Sequence, residues 1–311
     1  MPNDMLLKLV VGVAAPAVLG FVLILLLIPR AVAGTIGGDV AKTGPTRHIA
    51  WALPLLMFAV FAVLQPWIAG KFVVLPRSAS EWALPAAVFG LVFAVVNAAL
   101  PAPGALRLGL RVALLVGIGA LVARTFLSRW TPLETAAWLG AFAAVTFVSG
   151  RLLARAATTQ RGVDGVGVLA LFTMAAAAVC EPGLLALPSA QYIGILAWLL
   201  TGAAAASLLR PSLRLHHAGA GLPLLVAAMV IFAAALTSGD VPLWMKGAFG
   251  VLLPAIPGLA AVFDRVWPAS PEGPRLKRSI ARLSVAAVPV LVIAALGAWQ
   301  ALRVQQSGYE Y

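Results

Sequence analysis

Glu181 stands in the segment Cys180-Glu181-Pro182-Gly183, inside an apolar run that extends to Leu187. An ionisable group at membrane depth is costly to keep there and marks a transport or binding site by default. Pro182 strengthens that reading. It removes a backbone donor and frees a carbonyl one turn earlier, as in the broken helices of transporters. The competing reading ends the helix at Val179 and puts Glu181 in the outer headgroup region. Asn97 is the other polar group inside an apolar stretch. A buried amide either joins helices by hydrogen bonds or touches a solute. Glu181 and Asn97 are therefore the candidate substrate-binding residues. Pro182, together with Pro254 and Pro257 in Pro254-Ala255-Ile256-Pro257-Gly258, marks the candidate helix breaks or kinks.

Little else in the chain promises chemistry. The ten acidic residues lie almost entirely in loops or at helix ends, and no two share a helix face at acid/base or metal-ligand spacing. Gly-x-Ser-x-Gly and His-Glu-x-x-His are missing. His48, His216 and His217 sit beside basic residues at helix ends rather than facing one another, which disfavours a haem or metal site. The single cysteine, Cys180, excludes an intrachain disulfide and a cysteine-based metal cluster. No catalytic residue, metal or cofactor is expected, and an enzyme is disfavoured.

The elements that must carry these residues follow from composition. Of 311 residues, 62% are hydrophobic and 10% charged; a soluble domain has roughly 45–50% and 25%. The mean hydropathy is +1.01. So much apolar side chain exceeds what a soluble interior holds, and the excess must face lipid. The expected fold is an all-α integral membrane protein, a single membrane domain over 1–311 with no soluble domain. About ten transmembrane helices are expected, near 6–28, 48–69, 82–100, 106–127, 133–154, 165–186, 189–209, 218–237, 243–263 and 280–302.

Charge distribution sets the orientation. The net charge of +12 is spread through short loops rather than gathered on a basic face with interleaved aromatics, so nucleic acid is not an expected partner. Alternate loops hold 15 of the 22 basic residues, including Arg151, Arg155, Arg265, Arg278 and Arg282. The opposite loops hold 7, including Arg124 and Lys246. This two-to-one bias puts both termini outside and the richer loops in the cytoplasm, where they meet anionic lipid headgroups. Trp51, Trp67, Trp82, Trp130, Trp244, Trp267 and Trp299 fall near the expected span ends, as interfacial indoles should. Residues 264–279 read as a mobile basic loop on the cytoplasmic surface.

A weak internal repeat relates 48–127 to 217–303. His48 precedes Pro54, and His217 precedes Pro223, by the same six residues. Gly90 corresponds to Gly250, and the pair Arg107/Arg111 to Arg278/Arg282. Transporters are often built from such repeats. The expected role is a permease-like transporter of a small solute in a bacterial inner membrane, working alone, with protein partners or as a homo-oligomer. The alternative is a non-catalytic membrane subunit or scaffold of a larger complex.

Overall fold

Long apolar runs satisfy their own backbone hydrogen bonds most simply as helices, and that is what the chain builds. The computed structural model describes residues 10–27, 55, 57–63, 76, 79–99, 104–159, 163–180, 190–209, 220–239, 241–268 and 275–307. Among the described residues every regular element is helical. A π-helical turn, Val10–Ala14, leads into α1 (Ala15–Leu27), and a 3-10 turn, Ala79–Trp82, leads into α2 (Ala83–Ala99). Then follow α3 (Gly104–Val122), the single turn α4 (Arg124–Leu127), α5 (Pro132–Thr159) and α6 (Val163–Val179). The last four are α7 (Ala190–Leu209), α8 (Gly221–Thr237), α9 (Leu243–Val266) and α10 (Arg275–Ser307). Three stretches within α5, α9 and α10 are long and apolar enough to cross a membrane: Pro132–Ala156, Leu243–Val266 and Leu276–Gln300.

Local chemistry explains several boundaries. The start of α5 is a capping box with proline in the first helical position. Glu134 Oε2 accepts from the Thr131 backbone N–H at 2.8 Å, and the Glu134 N–H donates to Thr131 Oγ1 at 3.2 Å. The end of α8 is held by Lys246, whose Nζ donates to the carbonyls of Ala235 and Ser238, each at 2.7 Å. A cation at a helix C-terminus meets both the unpaired carbonyls and the negative end of the dipole.

The helix expected over 165–186 is described as Val163–Val179, the end given by the competing reading, with Cys180 in a turn bonded to the Ala177 carbonyl and 181–189 outside the described residues. One expectation needs correction. The basic segment expected as a mobile loop over 264–279 is largely helical at both ends. Asp264 to Val266 close α9, α10 already begins at Arg275, and Arg278 is buried. Arg278 of this segment serves a packed site, while Arg265 and Lys277 stay exposed.

Helices α6 and α8 form the centre. Both are apolar around their whole circumference and are buried along most of their length, as such a helix must be. Packed on them are α7 against α6, α2 and α5 against α8, and α9 and α10 against α6. Glycines allow the closest approaches. A Cβ at Gly20 of α1 would run into the Leu199 carbonyl of α7, and one at Gly202 into the Ala17 carbonyl. Helix directions alternate. Gly250 and Gly258 of α9 face Val145 and Leu152 of α5, so those two run parallel. Gly150 of α5 faces Leu224 and Phe142 stacks on Phe232, so α8 runs against them. Gly167 of α6 faces Leu283 of α10, and those two run together, opposite to α9.

Candidate functional site

Arg278 and Arg282 are one turn apart on α10, so their side chains share one face. That position is unfavourable to begin with, because two cations sit near the positive end of the helix dipole. Asp264 is equally misplaced as an anion in the last turn of α9. Each misfit is offset by the other. Arg282 Nε lies 3.0 and 3.1 Å from the two carboxylate oxygens of Asp264, and Nη2 donates to Oδ2 at 3.0 Å. Arg278 Nη2 donates to Asp264 Oδ1 at 2.6 Å. One carboxylate thus takes short, charge-assisted bonds from both guanidiniums, the strong class of hydrogen bond.

The third helix enters through its N-terminus. Arg282 Nη1 donates to the backbone carbonyl of Asp164 at 2.6 Å, in the first turn of α6. The Asp164 carboxylate is hydrogen-bonded by Ser279, and its Oδ2 lies 3.7 Å from Arg278 Nη1. Its Oδ1 is buried and meets no donor among the described residues. Arg278 Nε donates to the Trp267 carbonyl at 3.0 Å, and its guanidinium lies over the Phe263 ring. Arg282 is 0% exposed, Arg278 8% and Asp164 9%, while the Asp264 side chain keeps 18%, so the cluster is largely withdrawn from water.

The opposite end of the same helices carries no such cluster among the described residues. There Lys246 caps α8, Trp244 of α9 meets Trp299 of α10 at 6.3 Å, and Phe126, Trp130 and Trp138 form a stacked run. Between the ends the described interior is mostly apolar. Its buried hydroxyls are Thr146 and Ser149 of α5, Thr173 of α6 and Ser207 of α7; Thr173 and Ser207 bond carbonyls of their own helices. Chemically, the cluster can clamp α6, α9 and α10 together at one end and can release them when a charge is neutralised.

The residues singled out from sequence are not brought together with it. Glu181 and Pro182 lie outside the described residues, as do His48 and His217 of the proposed repeat. Asn97 lies in α2, but its side chain is not among those described. Pro254 and Pro257 are inside α9, which runs on as one helix past both, so neither ends it. Gly90 and Gly250, matched in the repeat, meet different neighbours: the Leu222 backbone and the Val145 side chain. Sequence reasoning missed Asp164 and Asp264. The signal available was that two acids and an i, i+4 arginine pair all fall at ends that alternation puts on one side.

Fold and site together define an all-helical protein with some helices able to cross a membrane and a buried arginine–aspartate cluster at one end. The chain matches no known protein-family model and no curated protein.

Proposed function

We propose that the chain is a multi-pass protein of a bacterial inner membrane, with the arginine–aspartate cluster at the cytoplasmic end. In this reading it works as a permease-like transporter of a small, uncharged or weakly charged solute, and the cluster holds its inner end shut. Membrane insertion draws support from the outer faces of the bundle. Val18, Leu19 and Leu26 of α1, Leu106, Leu108 and Leu110 of α3, and Val288, Leu291 and Val292 of α10 are all exposed. Water-soluble monomers rarely leave such extended apolar faces uncovered. The single observation that carries the transport reading is the asymmetry. Among the described residues, the short guanidinium–carboxylate bonds that tie α9 to α10 lie at one end, and the buried hydroxyls of Thr173 and Ser207 above them bond within their own helices. A bundle whose guanidinium–carboxylate ties lie at one end can rock open at that end once they are released.

A second reading is a non-catalytic subunit of a larger complex. It is favoured by the apolar packing of α6, α7 and α8, where Val166, Leu169, Leu196, Leu199, Leu225 and Val226 are all buried. One experiment separates the two. Thr173 is fully buried on α6. In a Cys180→Ser background, Thr173→Cys is labelled with an impermeant maleimide in sealed vesicles of both orientations. Transport predicts slow labelling from outside. It also predicts that adding Asp264→Asn shifts labelling several-fold towards the inside. A rigid subunit leaves Thr173→Cys unlabelled from either side with Asp264 intact or replaced, and that result would sink the transport reading.

A further inference from the structure

We propose that Asp164 is a proton-binding site and that loading it loosens the hold of α10 on α6. The idea rests on the permease reading for its purpose but not for its geometry.

The four charges of the cluster are not equally held. Asp264 receives short bonds from both arginines, so its negative charge is fully matched. Asp164 has one contact to a guanidinium at 3.7 Å, beyond hydrogen-bond reach. Its Oδ1 is buried, with no donor facing it among the described residues. The groups acting on the carboxylate are Ser279, Arg282 and Arg278 from α10 and Asp264 from α9.

Three occupants of Oδ1 are chemically conceivable, and the surroundings choose among them. An anion would set a second negative charge against an oxygen that carries only lone pairs, with no donor between them among the described residues. A metal cation would need several more oxygens, whereas two guanidiniums stand beside the site. A proton needs one lone pair and displaces no hydrogen bond. It is taken from the aqueous face and sits on Oδ1 as O–H, turning the carboxylate into a neutral acid. The cluster then holds two cations against one anion. Arg278 keeps Asp264 and loses its attraction to Asp164, so the polar contact at this end of α6 and α10 is reduced to Ser279 and the Arg282 bond to the Asp164 carbonyl.

Infrared difference spectroscopy on the full protein in lipid tests this. The pH is stepped between about 4 and 9, the range over which buried carboxyls titrate. A protonated-carboxyl C=O band should grow as pH falls, vanish in Asp164→Asn and persist in Asp264→Asn. No titrating band in that window would overturn the proposal, because a charged carboxylate solvated by a bound water gives none. A band unchanged in Asp164→Asn would overturn it as well. In the same preparations, Thr173→Cys labelling should depend on pH with Asp164 present and lose that dependence in Asp164→Asn. The spectrum reads the proton whether or not anything is transported; a titrating band without any labelling change would overturn the loosening of α10 on α6, while the permease reading fails separately if Thr173→Cys stays unlabelled with Asp264 intact or replaced.

Discussion

Arg282 lies against Asp264 with Nε and Nη2 within 3.1 Å of the carboxylate oxygens, and the two residues come from different helices, 18 positions apart. Breaking a buried pair by removing one partner leaves the other charge stranded, at about 3–5 kcal/mol. Arg282→Ala leaves Asp264 with Arg278 alone and takes the donor from the buried Asp164 carbonyl, so its apparent Tm in detergent should fall by on the order of 10 °C. Arg282→Lys should recover little, because one ammonium cannot copy a planar fork that reaches Asp264 and the Asp164 carbonyl together. Thermal unfolding of the purified variants checks both.

The crossing of α1 over α7 depends on two absent side chains. Gly20→Ala and Gly202→Ala each drive a Cβ into a backbone carbonyl, which has no rotamer by which to yield. Each should cost about 1–3 kcal/mol. Gly109→Ala and Gly117→Ala on α3, where a Cβ meets nothing within 4 Å, should be neutral or slightly stabilising. Measuring the four variants together separates a packing effect from a general intolerance of change.

Lys246 closes α8 from the neighbouring helix. Lys246→Met keeps the apolar stem and abandons the carbonyls of Ala235 and Ser238. A loss of about 1–3 kcal/mol is expected for hydrogen bonds to a charged donor. Faster hydrogen exchange confined to the end of α8 and the start of α9 is the expected signature.

Much of the helical framework was legible, because hydrophobic length is a strong signal. Helices stand at Ala83–Ala99, Ala190–Leu209 and Leu243–Val266, where apolar runs were read over 82–100, 189–209 and 243–263, and of these only the last is, among the described residues, long and apolar enough to cross a membrane. Boundaries moved where polar residues proved helical. Arg275 to Ser279 look like loop by composition, but Asp164 and Asp264 neutralise Arg278 and let the helix start early. The site itself was hidden for the same reason. Asp164 and Asp264 are 100 positions apart, neither shares a face with another acid on its own helix, and only tertiary packing aligns them with Arg278 and Arg282. Glu181 drew the eye because it interrupts an apolar run, a local feature, whereas the buried cluster is assembled from residues that each look ordinary locally.

The central claim is that this bundle crosses a membrane with its arginine end in the cytoplasm, and α9 offers the most direct test. Leu243 and Val266 stand at its two ends, 71% and 80% exposed. In a Cys180→Ser background, Leu243→Cys and Val266→Cys are each treated with an impermeant maleimide on intact right-side-out vesicles, then after permeabilisation. The account predicts that Leu243→Cys reacts at once and that Val266→Cys reacts only after permeabilisation. Both reacting from the same side would contradict a membrane-crossing α9, and the reverse pattern would put the arginine–aspartate cluster on the outer face.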